Sequence, residues 1–227
     1  MLTRVLEPEV MDSPEEARDY DSMDHSAVNA LFADDFLAAL DHASRDTSAT
    51  CAVLDVGTGT AQIPIEIARR RSGLAITAID LAPHMLALGQ INVDRAELTG
   101  VITLRLVDAK GLPFADQAFD AVVSNSIIHH IPEPVVCLRE MARVLKPGGV
   151  LFVRDLLRPS DDATLTGLVD RYADGANAHQ RKLFADSLRA ALTLAEVREL
   201  LREIGLPATW AAQTSDRHWT ISSHVRV

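Results

Sequence analysis

The chain has 227 residues, of which 48% are hydrophobic and 24% are charged, and its formal net charge is -10. This length suffices for one domain with a substantial core, and the composition is typical of a globular protein. The negative charge argues against binding to a nucleic-acid backbone, because such binding depends on clustered Lys and Arg. The two cysteines, Cys51 and Cys137, are far apart in the sequence. This spacing favours an interpretation as small apolar residues in a reducing compartment over a disulfide.

The N-terminal sequence is unlike a secretory signal, since acidic residues and Pro8 stand where an apolar core is required. No run reaches the roughly 18 apolar residues of a membrane span. We therefore expect a cytoplasmic protein that does not enter the membrane.

Residues 1–48 are predicted to form a helical cap. Ser13-Pro14-Glu15-Glu16 has the pattern of a helix start, with a capping serine, proline in the first position and acids in the first turn. Apolar residues then recur with helical spacing between Val28 and Leu40, and Ala43–Thr50 is predicted to be a polar linker.

From Cys51 the sequence alternates short apolar runs with segments of helical periodicity. The predicted strands are Cys51–Val56, Leu74–Ile79, Val101–Val107, Phe119–Ser124 and Val150–Val153. The predicted helices between them are Gln62–Arg71, Pro83–Leu98 and Pro134–Leu145. Alternation of this kind predicts a parallel sheet that is covered by helices on both faces.

Beyond Asp155 the pattern changes to an irregular helical insert at about 156–190 and a capped helix over Thr193–Gly205. Thr209–Gln213 and Arg217–Val227 are predicted strands, and the short connection between them requires an antiparallel pair. We expect an α/β fold with a doubly wound, mostly parallel seven-stranded sheet, an antiparallel C-terminal strand and an N-terminal helical cap. Residues 49–227 would be the main domain, joined with the cap in one compact unit.

The segment "VLDVGTGTA" places Gly57 and Gly59 where the first strand turns into a helix. Glycine there allows backbone dihedrals closed to other residues and removes a Cβ that would block a ligand. A dinucleotide-binding loop would need a third glycine at Gln62, and no Gly-Lys-Ser/Thr follows to make a P-loop. A tight turn without any ligand remains an alternative.

The later loops on the same edge also carry polar residues. Asp80 ends the second strand, where an acid can accept hydrogen bonds from both hydroxyls of a ribose, or can cap the helix near Pro83. Asp108 ends the third strand, either beside an adenine amino group or as a solvated loop acid. Asn125 ends the fourth strand, and His129 and His130 follow it.

These motifs resemble the class I S-adenosylmethionine-dependent methyltransferases, in their small-molecule branch. The resemblance covers about Cys51 to Asp155 and rests on "LDVGTGTA", "AID", "DAKGLPF", "FDAVVSNSIIHHI" and "REMARVLKPGGVLFV". The sequence departs from the family at Ala61, where many relatives have a third glycine. The family's fold is Rossmann-like, and its cofactor is S-adenosylmethionine.

The resemblance implies a role for each matching residue in holding the cofactor. The methionine part would be surrounded by Asp55, Gly57, Thr58 and Gly59. Asp80 would hold the ribose, Leu81, Asp108 and Ala109 would border the adenine, and Asn125 would face the sulfonium. The positive sulfonium and ammonium groups suit an acidic pocket.

Methyl transfer from a sulfonium needs a base only if the acceptor must lose a proton. His129 and His130 are candidates because imidazole titrates near neutral pH, although either ring could instead pack against or cap the following helix. Tyr20 could close over the methyl group or simply pack in the core.

Arg154 and Asp155 could line the acceptor site or form a surface ion pair. We expect no metal, because adjacent histidine side chains rarely converge on one ion. The sequence does not identify the acceptor or the oligomeric state. "SNSIIHH" replaces the Pro-Pro-aromatic loop of nucleic-acid amino-methylating enzymes, which favours a small-molecule acceptor. Two alternatives remain, an NAD(P)-dependent oxidoreductase and a non-catalytic module that binds S-adenosylmethionine.

Overall fold

The structure is a computed structural model that describes residues 2–8, 12–43 and 49–223. The strands are β1 Cys51–Val56, β2 Leu74–Asp80, β3 Ile102–Leu106, β4 Phe119–Asn125, β5 Leu145–Leu156, β6 Ala211–Gln213 and β7 His218–Ser222. The helices are α1 Pro14–Ser22, α2 Ser26–His42, α3 Gln62–Arg70, α4 Pro83–Arg95, α5 Pro134–Val144, α6 Asp162–Tyr172, α7 Ala178–Ala190 and α8 Leu194–Glu203. Short 3-10 helices cover Ile128–His130 and Ala208–Trp210.

The seven strands form one sheet in the order β3-β2-β1-β4-β5-β7-β6. β1 pairs in parallel with β2 and β4, and β2 pairs in parallel with β3. β6 and β7 are antiparallel, as their short connection predicts. The predicted α/β, mostly parallel seven-stranded fold is therefore confirmed. The strand order reverses between β1 and β4, and a ligand crevice forms beyond the carboxyl ends of strands at such a point.

Local sequence signals account for several element boundaries. At the start of α1 the Ser13 hydroxyl accepts from the Glu16 backbone N–H, and the Glu16 carboxylate accepts from the Ser13 N–H in return. The predicted polar linker Ala43–Thr50 falls largely outside the described residues. The last predicted strand, Arg217–Val227, also runs past residue 223, where the described residues end.

Backbone contacts divide the chain into two compact units. The larger unit comprises residues 10–125, 136–153 and 222–227, and the smaller unit comprises residues 1–9, 126–135 and 154–221. The core of the larger unit joins α2 to the strands: the ring centroid of Phe32 lies 5.2 Å from that of Phe152, and the centroid of Phe36 lies 6.0 Å from it. All three rings are buried. A helix from the predicted cap is thus part of the core of the larger unit.

The smaller unit has its own apolar cluster, which includes Leu165, Leu168 and Leu188 from α6 and α7. Leu2 packs against this cluster, and the Val5 N–H donates to the Arg189 carbonyl over 3.2 Å. The N-terminal segment 2–8 is therefore held on the helices of the smaller unit. Within the described part of the chain, no helix is both long and apolar enough to cross a membrane.

β5 begins at Leu145, five residues before its predicted start at Val150. The two glycines between these positions explain the difference. Gly148 adopts a left-handed φ of 73°, and Gly149 approaches β4 so closely that an added Cβ would lie 2.7 Å from the Asp120 carbonyl oxygen. The strand therefore continues through a segment whose sequence indicates a turn.

Replacing Gly149 with Ala is expected to destabilise the protein by about 1–3 kcal/mol, the usual range for overpacking, because a backbone oxygen cannot move aside cheaply. Gly167→Ala is the matched control. Gly167 is exposed on α6, and the space that an added Cβ would enter is open. We therefore expect the free energy of unfolding to rise by roughly 0.5–1 kcal/mol from the better helix propensity of alanine. Urea unfolding of both variants measures the difference, and equal stabilities would contradict the close approach.

Candidate functional site

The loop after β1 turns sharply through residues with left-handed backbone. Gly57 and Gly59 have φ values of 76° and 55°, and Ala61 has a φ of 62°. The N–H groups of Gly57 and Thr58 both donate to the Ile79 carbonyl over 2.9 Å, which fixes the loop against β2. An L-residue such as Ala61 is strained in this conformation, which gives a physical reason for glycine at that position in many relatives.

Asp80, at the end of β2, organises the same loop. Its Oδ2 accepts from the Gly59 N–H over 2.7 Å, and its Oδ1 accepts from the Ala82 N–H over 2.9 Å. The side chain thus joins the glycine loop to Ala82, the N-cap residue of α4. Asp80 does not cap α4, since the His84 N–H in its first turn donates to Asp12 Oδ1 over 3.2 Å. The ligand role of Asp80 stays a prediction. An ionised carboxylate has about four acceptor positions, so these two bonds leave acceptor capacity for a ligand. Burial raises the pKa of this carboxyl.

A small cavity opens at the carboxyl ends of β1 and β4, entirely within the larger unit. It brings together four residues that the sequence singles out, Tyr20, Asp55, Thr58 and Asn125, beside the backbone of Gly57. Its other lining residues are Asn29, Thr60, Gln62 and Ile63.

Three buried oxygen atoms of this cavity have no hydrogen-bond partner among the described residues: Asp55 Oδ2, Thr58 Oγ1 and Thr60 Oγ1. Buried polar atoms are rarely left unpaired, so these atoms indicate a missing polar ligand. Burial raises the pKa of Asp55 to about 7, the neighbouring Thr58 hydroxyl opposes that shift, and the Asp80 charge adds to it. A cationic ligand beside Asp55 would satisfy the carboxylate and favour its charged form.

Tyr20 comes from α1 and forms part of the cavity wall. A Cβ placed on Gly59 would lie 3.6 Å from its Cε1 atom, so the ring faces the glycine loop. Burial and the nearby charges of Asp80 and Asp55 raise the pKa of the phenol to about 12. The hydroxyl is therefore neutral at physiological pH and does not accept a proton.

Sequence reasoning missed a chain of polar side chains that surrounds this loop. Asn29 Nδ2 donates to Gln62 Oε1 over 3.1 Å, and the Gln62 amide donates to Asp21 over 3.3 Å. Asn92 donates both to Asp21 and to the Thr60 carbonyl. The chain thus links α1, α2, α3 and α4 around the cavity. Single polar residues within helices give no sequence signal for such a network.

The remaining residues assigned to the cofactor follow β2 and β3, the next strands in the sheet. Leu81 is 38% exposed, which is unusual for a large apolar residue and leaves a face open to a planar ligand. Asp108 Oδ1 accepts from the Lys110 N–H over 2.9 Å and lies 3.1 Å from its Nζ. Ala109 lies between Asp108 and Lys110 in the sequence and is partly buried.

The two histidines that follow β4 belong to the smaller unit, with Asp155. Asp155 is fully buried and accepts from His129 Nδ1 over 2.5 Å and from the Ile128 and His129 N–H groups over 2.6 and 3.1 Å. Burial disfavours a charged imidazole, but the Asp155 carboxylate outweighs it and raises the pKa of His129. His129 is thus fixed in one orientation by its hydrogen bond to an acid.

Arg154 and Asp155 do not form the surface ion pair that the sequence left open. Only 6% of Arg154 and none of Asp155 is exposed. Arg154 Nε donates over 3.0 Å to the hydroxyl of Thr220, which lies on β7. Both side chains are therefore committed to contacts inside the smaller unit.

A family model described as a methyltransferase domain matches residues 54–153. The ubiquinone/menaquinone biosynthesis C-methyltransferase UbiE of Geotalea daltonii is 36% identical over 108 residues, 47% of this chain and 46% of that protein. Methyltransferase GfsG of Streptomyces halstedii is 33% identical over 128 residues, 56% of this chain and 46% of that protein. This chain thus spans about half the length of the curated relatives it matches.

A solved structure with a similar fold is a SAM-dependent methyltransferase from Aquifex aeolicus. It aligns with a TM-score of 0.65 at 17% identity, covering 92% of this chain and 97% of that chain. At this identity the likeness shows a shared fold. The conserved architecture extends over nearly the whole chain, well beyond the part that the family model matches.

Proposed function

Because residues 54–153 form a methyltransferase domain of the class I S-adenosylmethionine-dependent family, we propose that this chain transfers a methyl group from S-adenosylmethionine to a small-molecule acceptor. Relatives named as quinone-biosynthesis C-methyltransferases support an acceptor of this class. The net charge of -10 supports a small molecule rather than a nucleic acid. We place the reaction in the cytoplasm, where the buried thiols of Cys51 and Cys137 stay reduced.

The observation that carries this proposal is the set of unpaired oxygen atoms at the crevice beyond β1 and β4. Asp55 Oδ2 and Thr58 Oγ1 are buried without a partner among the described residues, beside a loop with no side chain at Gly57. A carboxylate and a hydroxyl suit the ammonium of a methionine group, which is a cation with three hydrogen-bond donors. The pyrophosphate of a dinucleotide is negatively charged, and Asp55 and Asp80 would repel it.

When bound, S-adenosylmethionine supplies a methyl group that its positive sulfonium activates toward in-line displacement by the acceptor. The side chains of this chain bind and orient the donor. Asp55, Thr58 and Gly57 hold its methionine part, Asp80 accepts from the ribose hydroxyls, and Leu81, Asp108 and Ala109 border the adenine. Since the donor is already activated, most of the rate enhancement comes from positioning and from the exclusion of water.

Two other side chains of the cavity face the reacting centre in this proposal. Asn125 lies at the end of β4 on the sulfonium side, and Tyr20 covers the methyl group from α1. The Tyr20 hydroxyl is neutral, so it contributes its ring and a polar contact rather than proton removal.

An acceptor that must lose a proton needs a base, and we keep His129 and His130 as the candidates. Asp155 acts on this pair as a positioning residue, since both of its oxygens are used by His129, Ile128 and its own backbone neighbour Leu156. In the sequence Asp155 comes just after the predicted fifth strand, where it could line the acceptor site, and this positioning role replaces that direct contact. Arg154 then supports the acceptor site through its hydrogen bond to Thr220.

Calorimetry with S-adenosylhomocysteine and with NAD(P) tests the cofactor class. We expect the homocysteine derivative to bind and the dinucleotides not to bind. Gly57→Val should weaken that binding at least tenfold, because a β-branched side chain at a φ of 76° both strains the loop and fills the crevice. Gly100→Val is the matched control, since it lies in an exposed turn with open space around its Cβ.

Dinucleotide binding without binding of the homocysteine derivative would overturn the proposal. Turnover is tested separately, by incubating small metabolites with a labelled methyl donor and analysing product masses. Transfer of label to an acceptor supports the enzyme. Binding without transfer to any acceptor across a broad set would support a non-catalytic module instead.

A further inference from the structure

The smaller unit contains a cluster of metal-ligating side chains, two of which are the candidate bases of the proposed methyl transfer. A ring nitrogen that holds an ion cannot also accept a proton, so metal binding here is a different role for the same histidines. Glu7 lies on the N-terminal segment, and His129 and His130 lie in the 3-10 helix after β4. One ligand atom from each residue lies within 4.8 Å of the others. The sequence argued against a metal on the ground that adjacent histidine rings diverge. Here the 3-10 turn brings both rings to the same carboxylate.

The distances within the cluster fit a tetrahedral ion. Glu7 Oε1 lies 3.4 Å from His129 Nε2 and 3.3 Å from His130 Nδ1. Ligands about 2.0–2.1 Å from a tetrahedral zinc ion are separated from one another by roughly 3.3–3.4 Å. The two separations from Glu7 Oε1 match this spacing, and all three ligand atoms lie within 4.8 Å of one another.

Two of these ligand atoms are also buried and unpaired. Glu7 Oε1 and His130 Nδ1 have no hydrogen-bond partner among the described residues. His129 directs Nε2 at Glu7, because its Nδ1 is bonded to Asp155. A cation between these atoms would satisfy both the lone pair of the nitrogen and the carboxylate oxygen.

The surroundings of His129 match those of a metal ligand. A metal-binding histidine commonly donates its second ring N–H to a carboxylate, which fixes the tautomer and orients the ring. Asp155 takes this position, and the backbone N–H groups of Ile128 and His129 hold it in turn. The acid that orients His129 toward an ion is therefore already in place.

The segment that carries Glu7 is anchored independently of the cluster. Arg4 donates to the carbonyls of His129, Ile131 and Ala190, over 3.2, 3.1 and 2.7 Å. Its guanidinium is a positive charge beside the cluster and opposes a cation. The carboxylates of Glu7 and Asp155 together exceed it by one negative charge, so the cluster still attracts a positive ion.

From this geometry we infer that Glu7, His129 and His130 bind a divalent transition-metal ion of the zinc class. Two nitrogens and one carboxylate oxygen are ligands that such ions prefer, and they leave a fourth position for water. The bound ion joins segment 2–8 to the loop after β4. The site is independent of the methyl donor, and its test does not depend on methyl transfer.

The test is titration of the chelator-stripped full-length protein with Zn²⁺ in competition with a coloured chelator, together with the visible spectrum after Co²⁺ addition. We expect one ion per chain and the intense d–d bands of a tetrahedral cobalt site. Glu7→Gln and His130→Gln should each weaken Zn²⁺ binding more than the about 10–100-fold expected for Asp155→Asn, which removes only an outer partner. His179→Gln removes an exposed histidine of α7 and should bind like the wild type.

Thermal unfolding separates loss of the site from loss of the fold. Without metal, Glu7→Gln should unfold within a few degrees of the wild type. With Zn²⁺, the melting temperature of the wild type should rise and that of Glu7→Gln should not. A wild type that binds no stoichiometric ion, or variants that retain wild-type affinity, would overturn the inference and leave a hydrogen-bonded cluster of His129, His130 and Glu7.

Discussion

Asp55→Asn is expected to abolish binding of S-adenosylmethionine while making the unliganded protein more stable at pH 8. The substitution removes the charge that the ammonium of the donor pairs with, and it removes a carboxylate that is costly to bury. Burial raises the pKa of Asp55 to about 7, well above the 3.8 that is usual for an aspartate. The stability gain should be about 1–3 kcal/mol, which allows for the cost of burying the new amide.

The sign of the pH dependence follows from that raised pKa. The folded protein holds the Asp55 proton more tightly than the unfolded chain does, so this group stabilises the fold fully only below about pH 4. Its contribution is lost as the pH rises and is gone once the pH exceeds about 7. Asparagine does not titrate, so the stability of Asp55→Asn relative to the wild type should increase between pH 4 and pH 7 and then level off.

Urea unfolding at several pH values measures this difference. Asp108→Asn is the matched control, because Asp108 follows a strand on the same edge with a side chain that is 44% exposed. A stability difference for Asp55→Asn that does not vary with pH would show that the carboxylate is not held in a dry, unpaired environment.

Asp80→Ala should lower both cofactor affinity and stability. Hydrogen bonds to a charged group contribute roughly 1.5–3 kcal/mol, so loss of the ribose contact should raise the Kd by about 10–150-fold. The same substitution leaves the N–H groups of Gly59 and Ala82 without their acceptor. This loss should lower the free energy of unfolding by about 1–3 kcal/mol.

Asp80→Asn separates these two effects. Its amide oxygen can still accept one of the two backbone bonds, so its stability should fall between those of Asp80→Ala and the wild type. Asp94→Ala, on the exposed face of α4, is the control for general effects on that helix. Calorimetry measures the affinity and urea unfolding measures the stability. Wild-type affinity of Asp80→Ala for the homocysteine derivative would contradict the assignment.

The order of elements and the meeting of Asp55, Gly57 and Asn125 at one cavity could be predicted from the sequence because both depend on local patterns. Cys51–Val56 is an apolar run of strand length, and the glycines that follow mark its end. The capping box of Ser13 and Glu16 fixed the start of α1 in the same way. Parallel strands end at one edge, so Asp55, Gly57 and Asn125 were expected to meet there.

The side-chain contacts that complete the site could not be predicted, because they join residues distant in sequence through polar types common on any surface. Gln62 illustrates this. Its identity weakened the dinucleotide alternative, but nothing in the sequence shows that it bonds Asn29 and Asp21. Glu7 is a further case, since it is one acid in an acidic segment and only the fold brings it to His129.

The aromatic contact of α2 with β5 decides where this protein can be divided. Phe32 and Phe36 are fully buried against Phe152, yet both precede residue 54, where the similarity to the methyltransferase domain begins. A fragment trimmed to residues 54–153 would expose one side of Phe152 to water and lack β1's first three residues. The segment that matches the methyltransferase domain is therefore smaller than the core of the larger unit, which takes in α2 as well.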